Sequence, residues 1–323
     1  MNMNKKRIRI IRTAVGSMPS WGLIEELKRN EFEVIGTDCN PLSFGHFLLE
    51  KSYVTPKGNE SNFIDKILEI ALDEKIDAII TGPEEEIIAL SKNKDMFENE
   101  GILVLCPENK TVNICSDKYE TYKFFKENSI PTPKHFEHFS NVQFPCIIKP
   151  RFGRGGIGIY KCEKREELEF YIDKVKDPVI QQFIEGEEYT IDLLADKEGN
   201  PLSIVPRMRI DTESGVSVKA KTVYDEEMLY YCKFICKKLK LFGPSCIQCI
   251  KSSEGIKFIE INTRFGGGSV LSTKADPLII QNLKNLILNK ECVKSNGFKR
   301  NIIMLRYYSE VFVDEHDLKK IHD

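Results

Sequence analysis

The chain has 323 residues, a net charge of −2, 41% hydrophobic and 30% charged residues. That length exceeds one core of ordinary size and predicts two or three packed units, and the apolar content excludes disorder as the resting state. With no basic excess, a nucleic-acid backbone and an anionic membrane surface are excluded as partners, which leaves small molecules.

The opening MNMNKKRIRIIRT breaks its apolar run with arginines, so it lacks a signal-peptide core, and no later segment approaches a membrane span. A cytoplasmic protein is expected, with its ten cysteines reduced and mostly buried. RIRIIRT, FEVIGTD, DAIITG and GILVLC read as strands, and SWGLIEELKRN and NFIDKILEIALDEK as helices between them. Alternation of this kind predicts a parallel α/β sheet, a Rossmann-like domain over residues 1–108. Asp38 closes the second strand, where dinucleotide folds place an acid against a ribose. The first loop, AVGSMPSWG, nevertheless lacks G-x-G-x-x-G, so the domain reads as a wall lent to a cleft. In T-G-P-E-E-E, Glu84 and Glu85 stand where they would reach an amine.

From Ser116 the pattern becomes α+β. DKYETYKFFKENS is a helix, IPTPK a turn, and PCIIKPRFGRGGIGIY a strand, glycine-rich loop and strand. Lys149 precedes Gly153, Gly155, Gly156 and Gly158, so backbone N–H groups can turn inward around an anion beneath a flap. This is not a P-loop, which needs its lysine after the glycines and a helix behind it. VIQQFIEGEEYTID offers an extended run to an adenine edge, with Glu188 positioned for ribose hydroxyls. In LSIVPRMRI, Arg207 and Arg209 share a strand face and are candidates to clamp a substrate carboxylate.

DEEMLYYCKFICKKLK is an amphipathic helix, and SCIQCIK and IKFIEIN form a strand pair. Cys232 and Cys236 belong to the helix stripe, while Cys246 and Cys249 point to opposite sheet faces, which argues against a zinc site. Along the last strand Glu260, Asn262 and Arg264 project to one face, with Ile259 and Ile261 toward the core. A three-residue turn at Ser253–Gly255 would pair Ser252 with Ile256 and set Gln248 opposite Glu260. A carboxylate, two amide oxygens and a guanidinium then converge, a set suited to Mg²⁺ and bridged phosphates.

Taken in order, SDKYETYKFFKENSIPTP, CIIKPRFGRGGIGIY, IQQFIEGEEYTID and FIEINTRFGGGS resemble the ATP-grasp superfamily. More narrowly they are similar to its carbamoyl-phosphate-synthase-like members, which include stand-alone amino-acid ligases of the pyrrolysine-pathway type. The resemblance implies a pre-ATP-grasp domain over 1–108 and an ATP-grasp domain of two subdomains over 109–323, with a lid at about 118–184. It implies ATP binding by Lys118, Lys149, Gly155, Gly156, Gln181, Phe183, Ile184 and Glu188. Mg²⁺, with Mn²⁺ as a substitute, would be held by Gln248, Glu260 and Asn262, with Arg264 and Lys149 catalytic and Arg207 and Arg209 toward substrate. The implied reaction joins a carboxylate to an amine through an acyl phosphate, releasing ADP and phosphate; the oligomer expected, if any, is a homodimer.

Two positions depart from the family's pattern: Thr263 replaces the proline of E-I-N-P-R, and Gln181 stands where an acid is common. No glutaminase or second synthetase half is read, so carbamoyl phosphate synthesis itself is not expected. The rival readings are an ATP-binding regulatory protein of the same fold without turnover, and an oxidoreductase built on the first domain. The magnesium set disfavours the first, and the missing glycine fingerprint the second.

Overall fold

The computed structural model describes residues 7–153 and 155–320. The opening MNMNKK, part of the signal-peptide reading, and Arg154 of the glycine-rich motif lie outside the described residues.

Five parallel strands build the first sheet: β1 (Ile8–Thr13), β2 (Phe32–Asp38), β3 (Lys51–Val54), β4 (Ala78–Ile80) and β5 (Leu103–Val104), in the order β3-β2-β1-β4-β5. Its strands are apolar on both faces because both are covered. Ile11, Ile35 and Ile79 pack beneath the helices Phe63–Asp73 and Glu84–Lys92, through Ile67, Ile70, Ile87 and Leu90. On the other face Ile8, Ile10, Val34 and Ile80 share one core with Leu194, Val205, Phe242, Phe265 and Ile279 from the rest of the chain. β3 and the helix at Glu84 are absent from the predicted elements. β3 is four residues with an exposed lysine, and Glu84–Glu86 resemble a solvated loop until Pro83 is seen to start a helix.

A three-stranded antiparallel sheet follows, with β6 (Cys146–Pro150) between β7 (Tyr160–Cys162) and β8 (Pro178–Gln182). Ile148 and Ile180 face Phe136, Leu168 and Val175 in its small core. The glycine-rich loop joins β6 to β7.

The largest sheet has six strands: β9 (Glu187–Ala195), β10 (Pro201–Glu213), β11 (Val216–Thr222), β12 (Gly243–Ser252), β13 (Gly255–Asn262) and β14 (Ile303–Leu305). Their order is β13-β12-β9-β10-β11-β14, all antiparallel. Helices Lys118–Glu127 and Glu226–Leu239 cover one face, where Phe125, Met228, Cys232 and Ile235 meet Ile191, Ile247, Phe258 and Ile261. Phe258 sits between Phe125 and Tyr231, with ring centroids 6.3 and 5.4 Å away, so truncating it would cost about 3–5 kcal/mol. Both helices start on an aspartate: Asp117 accepts the N–H groups of Tyr119 and Glu120, and Asp225 that of Met228. Cys232, Cys236 and Cys249 lie in the core under this sheet, where burial pushes their thiols up.

The predicted hairpin register needs one correction. Ser252 pairs with Gly255 across a two-residue turn, not with Ile256 across three. The ladder then slips by one residue between Cys249 and Gln248, and this bulge brings Gln248 opposite Glu260. The extra residue is Ile259, which is half-buried, so Phe258 and Ile261 take the core positions that the alternating pattern gave to Ile259 and Ile261.

Candidate functional site

The open face of the six-stranded sheet carries the polar residues in rows. Glu260, Gln248, Thr190 and Arg207 are successive Cα partners across β13, β12, β9 and β10. Asn262, Cys246 and Asp192 form the next row. Directly opposed residues share a face, so these side chains stand together. Asn262 Nδ2 donates to Glu260 Oε1 at 2.6 Å, and Arg264 NH2 donates to Asn262 Oδ1 at 3.2 Å. One carboxylate and two amides form an all-oxygen donor set that fits a hard divalent cation with phosphate and water filling its other positions.

The three-stranded sheet supplies the positive side. Lys149 on β6 is buried, and its pKa is pushed down to about 8, mainly by burial, with Lys118 adding to the effect and Glu260 opposing it. Lys118 opens its helix and donates from Nζ to the Gly153 carbonyl at 2.8 Å. Asp117, the cap of that helix, also receives Arg151 Nε at 2.8 Å and NH2 at 2.6 Å. One carboxylate thus ties the root of the glycine-rich loop to a helix N-terminus, a role for Arg151 that the sequence reading does not assign. Within the loop Gly155 and Gly156 have φ of 69° and 75°, a region that side chains resist.

Gln181 pairs with Ile147 two positions from Lys149, so it lies on the lysine's face of the small sheet, and it is buried. Phe183 donates its N–H to the Pro145 carbonyl, which commits that amide to the chain leading into β6, while Ile184 is buried beside it. Glu188 is half-exposed and pairs with Arg209 at 3.0 Å. Arg207 is fully buried: Nε meets Asp192 at 2.7 Å and NH1 meets Ser217 at 3.1 Å. Its donors are therefore held by the protein, although the residue lines the cavity described next.

The strand order of the first sheet reverses between β1 and β4, so the loops after these strands diverge and leave a crevice at their carboxyl ends. A cavity of about 610 Å³ opens there, walled by Arg12, Asp38, Glu85 and Glu86 on one side and Arg209, Gln248 and Arg264 on the other. Asp38 is not held for a ribose; it accepts the N–H groups of Gly16 and Asn40 and so shapes the first loop. Burial raises Glu86 to about 7, against the pull of Thr13 and Arg12, and lowers Arg12 to about 10. Glu84 is raised overall, mainly by burial, with Lys118 and Ser116 pulling it down and Glu260 pushing it up, so it lies near both Lys118 and Glu260. Arg12 carries no motif, and in T-G-P-E-E-E the sequence points to Glu84 and Glu85 rather than Glu86; only the fold brings Arg12 and Glu86 to the cavity.

Comparison with known proteins agrees with this architecture. Residues 115–268 match the ATP-grasp domain family, and residues 21–105 match the family described as the PylC-like N-terminal domain. The carbamoyl-phosphate synthase of Methanobrevibacter smithii is 28% identical over 188 residues, 55% of this chain and 50% of that protein. The D-alanine–D-alanine ligase of Fusobacterium nucleatum is 28% identical over 165 residues, 47% of this chain and 58% of that one. The chain therefore spans about half the length of these relatives. Among solved structures, an L-amino acid ligase from Bacillus licheniformis superposes with a TM-score of 0.67 at 19% identity, covering 87% of this chain and 75% of that one. A biotin carboxylase domain from Hydrogenobacter thermophilus, solved with MgADP and bicarbonate, gives 0.71 at 17% identity, covering 92% and 74%. At such identities the structures share the fold.

Proposed function

We propose that this chain, which carries an ATP-grasp domain behind a PylC-like N-terminal domain, is a carboxylate–amine ligase that works through an acyl phosphate. What carries the reading is convergence: Gln248 and Arg264 line a cavity of substrate size, Glu260 stands opposite Gln248, Asn262 bonds both Glu260 and Arg264, and the charges of Lys149, Lys118 and Glu260 act on one another.

A substrate carboxylate attacks the γ-phosphorus of ATP; the bond to ADP breaks and an acyl phosphate forms. An amine then attacks the acyl carbon and phosphate leaves. Such transfer depends on position and charge rather than on a protein nucleophile. Lys149 and Lys118 hold the phosphates, and Arg264 meets the transferring phosphoryl group. Glu260, Gln248 and Asn262 would hold Mg²⁺, or Mn²⁺ in its place, which would supply charge neutralisation to the phosphates. Gln181 and Ile184 border the adenine, Glu188 takes the ribose, and the glycine-rich loop over Gly155 and Gly156 keeps water from the acyl phosphate. Arg207, its donors engaged by Asp192 and Ser217, organises the cavity wall instead of clamping the substrate.

The test is a mass-resolved product screen with ATP·Mg²⁺ over panels of amino acids and small carboxylates. ADP release that needs both a carboxylate and an amine is the expected result. Nucleotide binding without substrate-dependent release would leave the regulatory reading instead. Among the described residues no helix is long and apolar enough to cross a membrane.

A further inference from the structure

Arg209 is joined to three separate elements. Its NH1 group faces Glu188 of β9 at 3.0 Å and donates to Gln248 Oε1 of β12 at 3.3 Å, while NH2 donates to the Gly215 carbonyl at 2.9 Å. Gly215 forms the tip of the β10–β11 hairpin and has a φ of 75°. A side chain added there would lie 2.9 Å from Gly155 Cα and 3.0 Å from its carbonyl carbon, so the glycine-rich loop rests directly on this tip. From the other direction, a side chain at Gly155 would lie 3.4 Å from the Ser214 carbonyl oxygen. The backbones approach this closely because Gly215 has no side chain to hold them apart.

The contrast with Arg207, two residues earlier on the same face, is informative. Arg207 is buried against an aspartate and a serine of its own sheet. The Arg209 side chain is also about nine-tenths buried, yet its partners are the proposed ribose acid, the proposed metal-side amide and the hairpin tip. A planar fork of donors can hold three such groups in fixed relation, which an ammonium of the same charge cannot.

We propose that Arg209 is a positioning residue: by pinning the hairpin tip on which Gly155 rests, it governs whether the acyl phosphate passes to an amine or is lost to water. This rests on the ligase reading above. In the lost branch, water attacks the acyl carbon, the bond from that carbon to the phosphate oxygen breaks, and carboxylate and phosphate are released. ATP is then consumed without product. A residue that merely stabilised the fold would lower both branches alike, whereas Arg209 shifts the ratio between them.

The experiment uses the full chain with ATP·Mg²⁺, the twenty common α-amino acids as carboxylates, and hydroxylamine as the nucleophile, reading ADP and hydroxamate together. In Arg209→Lys the ratio of ADP to hydroxamate rises by roughly threefold to tenfold, because the charge stays and the fork is lost. Gly215→Ala leaves Arg209 intact, pushes the loop off its rest and raises the ratio in the same direction. An unchanged ratio in both variants overturns the proposal, even if total turnover falls. A rise in Arg209→Lys alone also overturns it, since the hairpin contact would then not be the cause. If the wild-type chain gives no carboxylate-dependent ADP with any acid of the panel, the ligase reading fails and this proposal falls with it, an outcome distinct from the other two.

Discussion

Gln248 and Glu260 face each other across β12 and β13 because the ladder slips by one residue between this pair and the turn. The two-residue turn alone would have set Gln248 against Ile259; the bulge restores the carboxylate to the face of the amide. Glu260→Gln keeps the shape and the hydrogen bond with Asn262 but removes the charge. ADP formation should fall by roughly a hundredfold or more, with a melting temperature close to wild type. Substrate-dependent ADP release, measured beside thermal melting, checks it; wild-type turnover would sink the metal assignment.

Lys149→Ala should weaken ATP binding, since a buried cation that interacts with both Glu260 and Lys118 is lost. The wild type carries a pH signature of its own. In the free protein burial holds Lys149 at about 8, and bound phosphates favour the ammonium and raise it. Above pH 8, therefore, binding takes up a proton, and affinity declines as pH increases. Titration calorimetry in two buffers of different ionisation enthalpy measures this uptake. It should vanish in Lys149→Ala.

Asp117 caps one helix and holds Arg151 at the root of the glycine-rich loop. Replacing it with alanine should cost about 1–2 kcal/mol. Although burial works to raise Asp117, its bonds with Arg151 and the helix N–H groups leave it below the usual value. A depressed carboxylate stabilises the fold above its unfolded pKa and loses that contribution as pH falls through its folded pKa. The difference between wild type and Asp117→Ala should thus shrink at pH below about 4, which denaturant melts across that range can follow.

Gly268 has an ordinary backbone conformation, with φ of −109°, so its reason lies in space. A side chain there would lie 2.7 Å from Arg207 NH1 and 2.8 Å from its Cζ. Because Asp192 and Ser217 fix that guanidinium, it cannot move aside freely. Gly268→Ala should destabilise the chain by about 1–3 kcal/mol, read from a chemical denaturation curve. Gly267 should tolerate the change better, as its neighbours at 3.0 Å and beyond are the side-chain atoms of Val216.

Local pattern alone determined a great deal. Apolar runs of strand length marked β1, β2, β4 and β5 of the parallel first sheet but not the short β3, and FEVIGTD was legible residue for residue as β2. The order of the ATP-grasp motifs pointed to the family, and the two-residue period placed Glu260 and Asn262 on one side of β13, while Arg264 lies past the strand's end and reaches Asn262 from there. These are properties of neighbouring residues, which a sequence expresses directly. The bulge at Ile259 was not legible, because a strand with one extra residue has the same composition as one without. Arg12, Glu86 and Asp38 reach the cavity only because the strand order reverses between β1 and β4. The different fates of Arg207 and Arg209 are likewise tertiary. Identical side chains two residues apart on one strand face are separated by what packs over them: Asp192, Ser217 and the glycines at 266 and 268 for the first, and Glu188, Gln248 and the hairpin tip for the second.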